Sequence, residues 1–159
     1  MEDKDFDLAI AYDKLKQKYE LPEFDRLSED FNIEKTIDKE PFFLIREVRR
    51  TINEKISAYM HLFETLINPT ATPMFIFSIL RKIDEDNKEK IKDVYKKISR
   101  LQIKAMKLDT IYSEKSEVEF IKTAFNEWQD LKKIIFSIIE KFDESIEEDN
   151  SLKERSYFG

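Results

Sequence analysis

The sequence predicts an all-α protein, folded as a single antiparallel helical bundle of three long helices with two or three short ones. Three observations predict it. Apolar residues recur at gaps of three and four over most of the 159 residues. The four prolines, at 22, 41, 69 and 73, all fall between the periodic segments, where a missing N–H breaks no helical hydrogen bond. The only glycine is Gly159, so the tight Asn-Gly turns that join β-strands have no residue suited to them.

The longest stripe lies between Glu40 and Asn68. Ile45, Val48, Ile52, Ile56, Tyr59, Phe63 and Leu66 fall within about 80° on a helical wheel, which makes one face for burial. Met60 and Leu62 widen that face, and Glu47, Glu54 and His61 lie opposite it. Asp38 is placed to cap this helix and Pro41 to sit in its first turn. Asn68-Pro69 ends it.

Ahead of this segment, Leu8, Tyr12, Leu15 and Tyr19 mark a helix over residues 5–20 that stops near Leu21-Pro22. Phe24, Leu27 and Phe31 mark a short second one, and residues 32–36 are expected as an irregular link that tucks Ile33 and Ile37 against the core. After the break at Asn68 to Pro73, Thr72 is a candidate N-cap with Pro73 as the first helical residue. The run MFIFSILRKI that follows is apolar nearly all round, as expected of a plug buried between longer helices.

Asp86-x-x-Glu89 resembles a capping box and opens a helix over about 87–111 that buries Ile91, Val94, Tyr95, Ile98, Leu101, Ala105 and Leu108. Ser116-x-x-Glu119 is a second capping box. It opens the last helix, whose inward residues are Ile121, Phe125, Trp128, Leu131, Ile135, Ile138 and Phe142 and which is expected to end near Ile146. Its patch at Ile134, Ile135, Ile138 and Ile139 is wider than one buried stripe requires. That width implies a central place in the bundle, or else a contact in a homo-oligomer. Residues 1–146 are thus expected as one bundle domain, and 147–159 as an acidic, polar and disordered tail whose Tyr157-Phe158 end is a candidate docking peptide.

Composition narrows the chemistry. An apolar content of 41% supplies a core, and the absence of cysteine removes disulfides, thiolate metal sites and thiol nucleophiles. Glycine-rich phosphate loops are excluded on the same kind of count. Neither a leader-like N-terminus nor a long apolar run is present, so a soluble, cytoplasmic protein without membrane attachment is expected.

His61 is the only imidazole. A ferritin-type two-iron site needs two Glu-x-x-His pairs, and the residue three before His61 is Ala58. A lone histidine on the outer face of a bundle helix resembles the histidine phosphotransfer domains, which carry their phospho-acceptor that way. The resemblance covers His61 and its neighbours. That family usually has lysine and glycine three and four residues on, where this chain has Glu64 and Thr65. The pairs Glu127-x-x-Asp130 and Glu140-x-x-Asp143 resemble in spacing the magnesium-holding carboxylates of all-α nucleotide pyrophosphohydrolases, but on one helix they point about 140° apart. No motif supports catalysis, and neither a metal nor a cofactor is expected; an all-α metal-dependent hydrolase or a phosphotransfer module is the third reading.

Charge distribution is more informative. Residues 88–107 hold eight basic side chains against Glu89 and Asp93, a local +6 in a chain of net −6, which leaves −12 on the remainder. Lys92, Lys96, Arg100 and Lys104 are each four apart and form a ridge roughly 18 Å long. A solvated ridge paired with the protein's own acids is one outcome; an acidic protein partner or a run of phosphates are the others. Arg46, Arg49 and Arg50 are a second candidate, since Arg46 and Arg50 share a face and Arg49 borders the core stripe. Pairing with the acidic first helix is the alternative use of that cluster. The sequence therefore points to a non-enzymatic interaction protein, an adaptor or accessory bundle that docks a macromolecule. The alternative is an RNA-binding or ribosome-associated factor that uses the basic helix.

Overall fold

The computed structural model describes residues 7–37, 41–70 and 72–157. Its elements are α1 (Leu8–Tyr19), α2 (Phe24–Phe31), α3 (Ile33–Thr36), α4 (Leu44–Ile67), α5 (Met74–Lys82), α6 (Glu85–Thr110) and α7 (Glu114–Tyr157), with no strand among the described residues. The all-α bundle with three long helices is therefore the fold. The chain divides into two compact units. One holds the chain up to Ala58 together with Arg100–Trp128, and the other holds Tyr59–Ser99 together with the chain from Gln129.

The first unit is built on α1 to α3, the start of α4, the end of α6 and the start of α7. Val48 and Ile52 of α4, Leu101 and Ala105 of α6, and Ile121 and Ala124 of α7 are all buried, as their three- and four-residue spacing requires. Tyr12 is the one fully buried member of its stripe. Its hydroxyl donates to the Pro22 carbonyl oxygen at 2.9 Å, and burial, reinforced by Glu23, pushes its pKa up. Phe31 packs on Trp128 with ring centroids 5.6 Å apart. The Lys55 ammonium sits 5.3 Å from the Trp128 centroid and donates to the Asp30 carbonyl oxygen.

Glycine is absent where it would be useful. α1 and α2 both end in the left-handed region, at Glu20 (φ 54°) and Asn32 (φ 55°). A left-handed β-carbon-bearing residue costs roughly 1–2 kcal/mol, less for asparagine. The return is closure of the helix ends: the Glu20 N–H donates to the Lys16 carbonyl oxygen and the Asn32 N–H to that of Ser28 at 2.7 Å. Residues 33–36, expected as irregular, form the single turn α3, which buries Ile33 and leads into the buried Ile37.

In the second unit Phe63, Leu66, Ile79, Ile83, Ile91, Val94, Ile98, Leu131, Ile135 and Ile138 form the core. The buried plug expected over 74–83 is corrected: among the side chains described there Ile79 and Ile83 are buried, while Met74 is 83% and Phe77 36% exposed. Ser78, Arg81 and Lys82 set a polar outer face for α5, and Met74, four residues before Ser78, lies on that same face. Lys82 fastens α5 to α7, donating to the Ser145 carbonyl oxygen at 3.0 Å and pairing with Glu148 at 3.7 Å.

The starts of α6 and α7 differ from those expected by two or three residues. Asp84, not Asp86, caps α6, its carboxylate accepting from the Asn87 N–H at 2.8 Å. Ser113, not Ser116, caps α7, its carbonyl accepting from the Glu117 N–H at 2.9 Å and its hydroxyl from the Ser116 N–H at 3.4 Å. Pro73, not Thr72, precedes α5, with no side-chain cap. α4 opens at Leu44, where the Phe43 carbonyl accepts from the Glu47 N–H at 3.2 Å; the expected cap at Asp38 lies outside the described residues. The backbone of α7 stays helical past Ile146 to Tyr157.

Candidate interaction surface

The three arginines of α4 have three different environments, all within the first unit. Arg49 is completely buried. Its Nε donates to Glu117 at 2.7 Å and its Nη2 to Asp109 at 2.7 Å. Glu117 is buried with it, whereas about half of the Asp109 side chain is exposed. Burial by itself disfavours the guanidinium charge, but the hydrogen bonds to Glu117 and Asp109 outweigh it and hold the pKa up. The hydrogen bond from Arg49, with the charges of Arg49, Arg50 and Arg46, holds Asp109 below the usual carboxylate range against partial burial.

Arg50 pairs with Glu47 at 3.0 Å and lies 3.9 Å from Asp109. The Arg46 guanidinium lies over the Tyr112 ring, 5.7 Å from its centroid. Pairing with the acidic first helix is therefore corrected: the partners are Asp109 on α6 and Glu117 on α7. As an open binding cluster, Arg49 is unavailable.

The basic helix behaves differently along its length. Its first turns are neutralised by acids on the same helix, with Lys88–Glu85 at 2.6 Å, Lys90–Asp86 at 3.1 Å and Lys92–Glu89 at 2.7 Å. Lys92 of the expected ridge is thus paired and Lys96, in the second unit, is exposed. Beyond Asp93 no acidic residue occurs until Asp109. In the first unit Arg100, Lys104 and Lys107 are exposed, and none makes an ion pair among the described residues.

Two apolar side chains accompany these cations. Ile103 is 56% and Met106 is 66% exposed; at 100° per residue both fall on the outer side of α6, and Ile103 lies about 40° from Lys107. Beside Lys104 and Lys107 runs an open groove of about 280 Å³. Its rim includes Lys104 and Lys107 of α6 and Glu119 of α7, and its floor includes Leu108 and Phe120. Ile103 and Met106 fall outside the periodic stripes, which mark the residues that fit the buried face. The available signal was apolar residues at the wheel positions opposite it.

A further exposed group was also missed. Phe42, 92% exposed, packs edge-on against Phe43 at 4.6 Å, and Phe43 packs on Tyr112 at 4.7 Å. These residues flank helices rather than lie within them, where periodicity gives no signal.

His61 is exposed on α4 with Glu64 3.9 Å away. Glu127, Asp130, Glu140 and Asp143 all lie along α7, and no three groups among His61 and the carboxylates of the described residues converge as a metal-holding group. No helix among them is long and apolar enough to cross a membrane. The patch at Ile134 to Ile139 divides: Ile135 and Ile138 are core, Ile134 is half-buried, and Ile139 is exposed beside Phe136. Comparison with protein-family models, curated proteins and solved structures brings no match to this chain.

Proposed function

We propose that the chain is a non-enzymatic interaction protein that docks an acidic protein segment on the outer face of α6 in the first unit. The observation that carries this reading is the juxtaposition of Arg100, Lys104 and Lys107, which make no ion pair among the described residues, with exposed Ile103 and Met106. Phosphates need only the cations. An amphipathic acidic helix uses both classes of side chain, its carboxylates meeting the three cations and its apolar residues covering Ile103 and Met106. The adaptor or accessory role, without catalysis, follows from the same surface and from the lack of any converging catalytic set in the sequence.

The test is capture from nuclease-treated lysate on the immobilised chain, compared with R100A/K104A/K107A and with I103S/M106S. A protein retained by the native chain and lost with both variants is the expected result. Retention abolished by nuclease, steeply weakened by salt and indifferent to I103S/M106S would replace it with the RNA-binding alternative.

A further inference from the structure

In the second unit, α7 carries an exposed phenylalanine between two exposed charges of opposite sign. Phe136 is 62% exposed, while its neighbours Ile135 and Ile138 are in the core. Lys133 lies three residues before it and Glu140 four residues after, and both are exposed. Neither makes an ion pair among the described residues. At 100° per residue the three side chains fall within an arc of about 60°, on the side of the helix that faces away from the core.

We infer that this face is a contact between two copies of the chain, paired antiparallel about a two-fold axis at Phe136. Such an axis reverses the direction of the second helix and brings the same flank of each helix together. Phe136 then meets Phe136 of the second copy, and Lys133 of each copy faces Glu140 of the other, with an offset of one residue or about 1.5 Å along the helix. Ile139, 41% exposed, closes the edge of the apolar contact. The charge order along the helix is what selects this occupant. A cation, an apolar ring and an anion in line are complementary to their own reversed copy, whereas a face of one sign, such as that of Arg100, Lys104 and Lys107, repels its copy. A contact made by one stretch of helix falls below the size of a standard interface, so the dimer is micromolar or weaker.

Sedimentation equilibrium of the full chain tests this. The native protein is expected to show a monomer–dimer equilibrium, and F136S to weaken it by about tenfold or more. K133E alone places two carboxylates together and E140K alone two ammonium groups, each weakening the dimer by about tenfold. The double variant K133E/E140K restores opposite signs and returns the affinity to within about threefold of native. An equimolar mixture of the two single variants forms a heterodimer tighter than either alone. All three positions are exposed, and helical content measured by circular dichroism verifies that each variant is folded. A native chain that stays monomeric to about 1 mM overturns the inference. So does a dimer indifferent to F136S, or a double variant no tighter than the singles.

Discussion

Two clusters of cations with helical spacing have opposite fates in the same unit. On α4, Arg49 is drawn inward onto Asp109 and Glu117, Arg46 lies over the Tyr112 ring, and the exposed Arg50 pairs with Glu47. Arg100, Lys104 and Lys107 on α6 face solvent and make no ion pair among the described residues. Spacing does not distinguish them. What does is burial: Arg49 follows Val48 on the buried side of α4, where a charge must find carboxylates, and the α6 cations are exposed on the flank of the stripe of Leu101, Ala105 and Leu108. A cation buried beside a core-facing stripe therefore reports internal pairing, and cations exposed on the flank of a stripe report an outward surface.

The comparison is broken most severely at Arg49. R49M removes the charge that compensates a buried carboxylate, and leaves Glu117 with no partner in the interior. The expected loss is about 3–5 kcal/mol in urea unfolding. The double variant R49M/E117L removes both charges and fills the space with apolar atoms, and is expected to recover most of that loss. If the single and double variants are equally unstable, the cost lies in packing rather than in the orphaned carboxylate.

That same pair shows how far the sequence could be followed. The seven-residue stripe of α4 and the stripes of α6 and α7 were legible because burial of one helix face imposes a period, and Ile52, Ile98 and Ile121 are buried where that period puts them. Arg49 was legible as a residue at the edge of the stripe. Its partners were not, since Glu117 is 68 positions away and its meeting with Arg49 depends on how three helix segments pack. Capping was readable in kind but not in place: Asp84 and Asp86 offer the same carboxylate, and so do Ser113 and Ser116 the same hydroxyl. Surface apolar residues were the least legible, because Met74 in an apolar run looks like core until Ser78, Arg81 and Lys82 fix which side faces out.

The half-exposed Asp109 offers an intermediate case. Its pKa is lowered in the folded protein, chiefly by the hydrogen bond from Arg49, so its contribution to stability is present above the unfolded value and is lost as pH falls through the folded one. Solvent screening limits the effect. D109N is expected to cost about 1 kcal/mol at neutral pH, with the gap from the native protein closing as the pH is taken below about 4. A gap that persists in acid would mean that Asp109 acts by shape and not by charge.

The smallest effect is expected where the cations face outward. R100A, K104A and K107A each remove from the exposed face of α6 a side chain that makes no ion pair among the described residues, and alanine is at least as good a helix former as either residue replaced. Thermal unfolding is therefore expected to shift by less than about 2 °C for each. The local excess of positive charge works in the same direction: Arg100, Lys104 and Lys107 repel one another along α6, and removal of one relieves the others. Added salt screens that repulsion, so the native chain is expected to gain more in Tm from salt than the triple variant does. A triple variant that melts well below the native chain would show that α6 uses these cations internally, as α4 uses Arg49, and would remove the contrast between the two clusters.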